Sequence, residues 1–456
     1  MIAVVVALLL RGGGSDTAKQ APAMAEALGY SQFDATGVLA VDTSAPLPGL
    51  VAADLAPALS GRVLRPEDLS PLQGGAAVAT LPDARAPAPT LAVVSRDADA
   101  PKQVVEGRHL APAGSYRGAA LYQAGNAVIA VRGRVLLAGA SAQAVRAALD
   151  TQADPHARMD PASFARRLGS LNRRAPVRLV LRASDLIATR LAAAAKRSPW
   201  LRAIRDAAAT LSSQGQDVVV RAHIATDEVE LTPGDLPFAP GPQTPQIRTN
   251  EPAALGVRGV PQLLALLRAL DPAGFADLDA PDTFIPGILG VDLGDLQAGL
   301  TGDSTLSTND LHHYILRAQP PDTGAWRTAL DRLDKLTDVL GFVGVTDIRI
   351  DNDGPGKRVT RNGRLLVRVA VIGPVVVVTN DPRVDFNRVA AAPPAPKPPA
   401  ARGGLAVLVR AGFLRRYLLT RVPGAGPLAQ FLGDLTGWAQ SALTGVDLTL
   451  RARVGQ

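Results

Sequence analysis

Two short segments 228 residues apart, VLRASDL (Val180–Leu186) and LVRAGFL (Leu408–Leu414), close an apolar run with the same Arg-Ala pair and carry Leu186 and Leu414 at the same distance beyond it. One echo proves little, but others fall in line with it. At the same shift Pro199 matches Pro427 and Asp206 matches Asp434, each pair framing an amphipathic stretch, PWLRAIRD and PLAQFLGD. At 230, DVVVRA (Asp217–Ala222) matches DLTLRA (Asp447–Ala452); at 224, EDLSPLQ (Glu67–Gln73) matches VDLGDLQ (Val291–Gln297); at 240, AVIAVRGRVLL (Ala127–Leu137) matches Val367–Val377. Collinear matches with slowly drifting offsets mark an internal duplication, and self-similarity of this kind outranks local propensity in setting a fold.

The duplication divides the chain. Residues 1–29 read as a partial membrane anchor or signal remnant plus flexible spacer, 30–231 as the first repeat unit, 232–252 as a Pro/Gly-rich linker, and 253–456 as the second unit with a proline-rich loop at 390–404. Within a unit, GVLAVD, AAVATL, TLAVVSR, GAALYQ, NAVIAVR and RVLLAGA read as strands, and SAQAVRAALD as a helix capped by Ser141. The stretch from Ser184 to Ser212 reads as helical. Asn362-Gly363 is the clearest hairpin turn, because that dipeptide accepts the positive φ of a type I′ turn. Short loops between neighbouring strands force antiparallel pairing, since parallel strands need long crossovers. The expected fold is α+β: two tandem copies of an antiparallel sheet with helices packed on one face.

Composition sets limits on chemistry. With 456 residues, 47% of them hydrophobic and 20% charged, the chain can bury two sizeable cores, built mainly from Ala, Val and Leu because only 4% is aromatic. The absence of cysteine excludes disulfides, thiolate metal sites and cysteine nucleophiles. A formal charge of +7 raises the question of nucleic acid, but the basic residues are dispersed and no aromatics interleave with them to stack on bases. The apolar run Ile2–Leu10 is nine residues, short of the roughly 20 needed to cross a bilayer. With the Gly/Ser/Ala/Pro-rich tract after it, it favours the end of an anchor, and so a tethered ectodomain, over a buried first strand or a cleaved signal.

Catalytic signatures are weak. His109, His156, His223 and the adjacent His312 and His313 do not form a metal-ligand spacing. DNDG (Asp351–Gly354) resembles the start of a calcium loop, but the twelfth position is Asn362 rather than a bidentate acid, so it reads as a polar turn between strands. No G-x-S-x-G elbow occurs, and GPGKR lacks the spacing of a phosphate loop. No cofactor is implied. The candidate contacts are of two kinds. Trp200, Leu201 and Ile204 in the first copy, and Phe413, Leu414, Tyr417 and Leu418 in the second, form apolar helix faces suited to a ligand, a membrane or their own sheet. Arg182, Arg410, Arg221 and Arg451 recur at matched strand ends and are candidate anion contacts, for lipid headgroups for example, unless nearby acids such as Asp185, Asp217 or Asp447 engage them.

The duplication, the strand-turn-strand-helix segment Tyr116–Asp150 and the truncated N-terminal anchor together give the chain a likeness. It resembles an uncharacterised bacterial family, a domain of unknown function found in secreted or membrane-tethered proteins. The resemblance covers most of the chain after about residue 35. It implies an extracytoplasmic location and brings no catalytic residues with it. The functional expectation is a non-enzymatic binding protein of the cell envelope, holding a lipid or other apolar molecule in a groove between pseudo-symmetric lobes. The alternatives are a structural or protein-interaction ectodomain and an envelope hydrolase with a noncanonical site.

Overall fold

The computed structural model describes residues 21–43, 64, 68, 71–72, 74–81, 88–272, 296, 300–310, 312–342, 347–396, 402–421 and 432–454. The apolar run Ile2–Leu10, the stretch LVAADLAPAL and the end of the proline-rich tract, Lys397–Pro399, lie outside the described residues, as do most of the two segments matched at 224. The first half supplies β1 (Gly37–Asp42), β2 (Ala76–Leu81), β3 (Thr90–Val94), β4 (Ala111–Tyr116), β5 (Ala119–Ala124), β6 (Ala127–Arg132), β7 (Val135–Gly139), β8 (Val177–Leu181), β9 (Ile204–Gln214) and β10 (Asp217–Thr226). The second supplies β11 (Ala253–Arg258), β12 (Asp303–Thr308), β13 (Tyr314–Ala318), β14 (Ile348–Asp353), β15 (Gly356–Arg361), β16 (Arg364–Ile372), β17 (Val375–Thr379), β18 (Leu405–Val409), β19 (Leu432–Ala442) and β20 (Gly445–Val454).

Every pairing among these strands is antiparallel. Through the first half the spatial order is β4-β5-β6-β7-β3-β2-β1-β8-β9-β10. The second half runs β20-β19-β18-β11-β12-β13-β17-β16-β15-β14, the same order traversed backwards. Strand β10 pairs with β20 over nine residues, Asp217 to Ala225, and joins the halves. The expectation of two tandem sheets is therefore overturned: the molecule is one continuous 20-stranded sheet. Each half would present an open edge at its last strand, and the two edges satisfy each other's N–H and C=O groups.

The registers show which residues are equivalent. Gly37 faces Leu181 and Ala253 faces Val409, so β8 and β18 correspond at a shift of 228, as the Arg-Ala echo has it. Both terminal hairpins turn in two residues, Gln214 to Asp217 and Ala442 to Gly445, which carries the same shift of 228 into β10 and β20. The sequence match DVVVRA/DLTLRA at 230 is thus slid by two residues from lattice equivalence, one full pleat, which leaves each side chain on its face. On this lattice Arg221 corresponds to Thr449, which it also faces across the seam, and Arg451 corresponds to His223.

Alternation divides the buried residues between two faces. Leu39, Val41, Ala77, Ala79, Leu91 and Val93 point to what we term the front, where the helix Ala100–Gly107 packs. Val38, Ala40, Ala76, Val78, Ala92 and Val94 point to the back, under three helices, Ala21–Leu28, Ala142–Ala153 and Pro161–Leu168. Helices on one face only is thus a second expectation that fails, and Ala21–Leu28, read from sequence as spacer, is a core helix. In the second half the helices Val260–Leu270 and Gly324–Phe342 cover the front. Among the described residues its back carries the short helix Phe386–Ala390 and two extended strips, which meet in a bridge between Arg248 and Pro394. The linker strip lies so close to the sheet that a Cβ on Gly256 would come within 2.9 Å of Ile247, whereas its first-half counterpart is Ala40.

Local chemistry accounts for the ends of elements. Ser141 Oγ accepts the Ala144 N–H at 3.2 Å, and Asp160 accepts from Ala162 and Ser163 just before Pro161 opens its helix. Asn362 and Gly363 both have positive φ, 49° and 76°, as a type I′ turn requires.

Candidate functional site

The apolar candidates serve the join between the halves. Pro199 and the Ser198 cap, which accepts the Leu201 N–H at 3.3 Å, start the helix Pro199–Ala203, and the chain turns into β9 at Ile204. Ile204 is thus a strand residue rather than part of a helix face. Trp200, Leu201 and Ile204 are buried against Leu231, Leu236 and Phe238 and against Val257, Val260, Ala439 and Val446 of the second half. In mirror fashion Leu414 and Leu418, on the helix Ala411–Arg421, pack on Leu211, Val218 and Val220 of the first half; Phe413 is buried and Tyr417 half-buried. Strand pairing and this reciprocal packing join the two halves.

The four candidate arginines divide into two pairs. Arg182 lies 3.9 Å from Asp185, and Arg410 Nη1 donates to Asp434 at 2.7 Å. Their backbone N–H groups donate to Thr36 and Pro252, so both residues fasten the start of a helix to the sheet. Exposed pairs of this kind contribute about 0–1 kcal/mol each.

Arg221 and Arg451 are different. Arg221 faces Thr449 and Arg451 faces Val219, which makes the two arginines diagonal neighbours on the back of the seam, about 7 Å apart along the pleat. Neither has a carboxylate within ion-pair distance among the described residues. Arg221 is exposed. The Arg451 guanidinium stacks 5.5 Å above the Trp438 ring, and its Nε is buried without a partner. The exposed Arg453 follows on the same face, its Nη2 donating to Gln216 at 3.4 Å. Asp447, the acid the sequence suggested as a partner, is bonded to His223 Nδ1 at 2.8 Å instead. Among the described residues no helix covers these side chains, and Arg221, Arg451 and Arg453 share the face with Asp217, opposite Arg453, and Asp447. Alternation along DLTLRARV already places Asp447, Thr449, Arg451 and Arg453 on one face, the signal from which Arg453 could have been found; Trp438 gave none.

A second feature was not legible. Between the helix Ala100–Gly107 and the β5–β6 hairpin lies an open cavity of about 650 Å³, floored by Val105, Leu110, Ala120, Tyr122 and Val131 and rimmed by Lys102, Glu106, His109 and Arg132. Nothing in the spacing of these residues announces it. Among the described residues no group of three or more His, Asp or Glu is placed to hold a metal. His312 and His313 sit in the turn before β13, donating their backbone N–H groups to Asp310 at 2.9 and 2.8 Å. No described helix is long and apolar enough to cross a membrane.

Comparison with known proteins adds little. No protein-family model matches the chain, and no curated protein is significantly similar to it. Among solved structures, crystal form III of TP0453 is 12% identical over 45% of this chain and 81% of that one, with a TM-score of 0.32. Crystal forms IV and I are also 12% identical, cover 43% of this chain and 79% and 77% of theirs, and have TM-scores of 0.31. A likeness this slight bears on neither fold nor function.

Proposed function

We propose that the protein is a non-enzymatic binding protein held outside the cytoplasm by an N-terminal membrane segment, and that the back of the β10–β20 seam takes anionic lipid headgroups. The observation that carries the reading is the juxtaposition of Arg221 and Arg451 on the back of the seam, neither within ion-pair distance of a carboxylate among the described residues, although Asp217 and Asp447 share that face. Guanidinium forks match phosphate oxygens bidentately, and two of them side by side favour a phosphate over an isolated neutral ligand. The test is flotation with vesicles of phosphatidylglycerol against vesicles of phosphatidylcholine alone. Wild-type protein should float with the anionic vesicles and detach at high salt. Each arginine near a charged surface contributes about 1 kcal/mol, so R221Q/R451Q should bind more than 10-fold more weakly. Equal binding by the double variant, or binding indifferent to headgroup charge, defeats the reading.

The cavity beside the helix Ala100–Gly107 favours a second reading, carriage of a small amphiphile with its tail on Val105, Leu110 and Tyr122 and its head toward Lys102, His109 and Arg132. Native mass spectrometry of gently purified protein tests it. A lipid-sized mass lost on organic extraction and absent from Val105→Arg supports carriage, and a clean apo mass refutes it.

A further inference from the structure

Arg317 projects from the back of β13 and is 8% exposed. Its cross-strand neighbours are Thr305 on β12, 2% exposed, and Val377 on β17. Carrying the registers across from the first half, the counterpart of Arg317 is Ala92 and that of Thr305 is Val78, both within the apolar back core. The second half thus places a cation and a hydroxyl where the first has two buried hydrocarbon side chains.

The guanidinium is far from satisfied. It offers five N–H donors. Nη2 donates to the Ala390 carbonyl at 3.1 Å, at the end of the helix Phe386–Ala390, while Nε is buried without a partner. Among the described residues no carboxylate forms an ion pair with it. Burial first, and then the neighbouring Arg248, depress its proton affinity. Arg248 reaches the same spot because its backbone N–H donates to Thr305 Oγ1 at 3.1 Å and because it bridges to Pro394. Among the described residues the Arg248 side chain has neither an ion pair nor a hydrogen bond, and the Thr305 hydroxyl proton is uncommitted. Two like charges near enough to repel, one of them on a buried side chain, make a costly arrangement unless an anion offsets them. Arg368, also buried on this back face, shows the contrast: it donates to Asp353 and to three backbone carbonyls.

We propose that Arg317, Arg248 and Thr305 form a binding site for a phosphate-type oxyanion under the covering strips of the second half. Both arginines supply N–H donors and Thr305 supplies a hydroxyl to a tetrahedral group that carries acceptors on every side. The site does not rest on the reading of the seam: β13 is five strands from β20, or about 24 Å at the usual strand spacing.

The experiment is thermal unfolding of the whole chain in sodium phosphate against sodium chloride at matched ionic strength, for wild type, Arg317→Met and Arg248→Gln. Wild type should gain several degrees in phosphate over chloride, rising with concentration as mass action requires, and both variants should lose that gain. Arg248 is half-buried, so R248Q keeps the test open if R317M does not fold. An equal gain in both salts, or a gain retained by R248Q, overturns the site. Calorimetric titration with inorganic phosphate and with a short-chain phosphatidic acid below its micelle concentration then separates the sources. At least 10-fold tighter binding of the lipid identifies a headgroup, and equal affinity identifies free phosphate.

Discussion

The two halves share one ladder and cover its back in opposite ways. In the first half three helices close over Val38, Ala40, Val78, Ala92, Val128 and Leu137, an apolar layer whose stabilisation is roughly proportional to area and indifferent to direction. In the second half the lattice counterpart of Val128 is Arg368, buried beside the short helix Phe386–Ala390. Its Nη1 donates to the carbonyls of Asp381, Pro382 and Val384 at 3.1, 3.2 and 2.8 Å, its Nε donates to Asp353, and its plane stacks 4.6 Å from the Phe386 ring. One side chain thereby fixes the whole turn between β17 and its helix. A sheet's registers do not dictate its cover: apolar area and a satisfied polar clamp both serve, but the clamp depends on every partner being present.

The largest expected effect breaks the clamp. Arg368→Met leaves Asp353 without its main cation and three carbonyls without their donor, and should cost about 4 kcal/mol in chemical denaturation. Leu149→Ala, on the buried face of the helix Ala142–Ala153 and 1% exposed, should cost about 3 kcal/mol through lost area and a residual cavity. If R368M proves milder than L149A, the second half is held by something other than the clamp. Acid sharpens the contrast further. The Arg368 hydrogen bond, with the nearby arginine charges and against the opposing effect of burial, holds the Asp353 carboxyl below the usual carboxylate range. A depressed folded value means that the unfolded chain binds the extra proton. The stabilisation is complete above about pH 4, the ordinary carboxylate value, and is lost as pH falls toward the folded value, by at most about 1.4 kcal/mol per pH unit. The wild-type stability curve should fall in that window by more than the R368M curve does, and parallel curves would remove Asp353 from the account. The smallest effects come from the helix caps. Ser141→Ala, which removes one N–H acceptor, and Asp385→Ala, which removes the acceptor for Asn387 and Arg388 at 2.9 and 3.3 Å, should each cost about 1 kcal/mol, the second somewhat more.

Much of the ladder was legible because duplication and turn chemistry leave marks in sequence. The strands from β5 to β7, the Asn362-Gly363 hairpin and the Ser141 cap follow from alternation, positive φ and a side-chain acceptor. β9 was not legible. IRDAAATLSSQ has three consecutive alanines and no aromatic residue, so its propensity is helical, and only pairing on both sides, with β8 and β10, makes it a strand. The edge-to-edge join was equally hidden, since nothing local tells a strand that its partner lies in the other half. Of the candidate site, matched arginines were visible, but which pair would meet acids and which would meet each other depended on that join.

The seam also has a consequence in time. Strand β10 completes its half's order at Thr226, and its partner β20 begins at Gly445. At ribosomal rates of about 5–20 residues per second, β10 waits on the order of tens of seconds with one edge open. That edge displays Val218, Val219 and Val220 in a row, the kind of strand that recruits whatever extended chain is nearby. On a polysome the nearest candidate is the β20 of a neighbouring nascent chain, and capture there would give an intertwined dimer with the same registers. The rate of synthesis across the second half would then help to decide whether the product is one molecule or two.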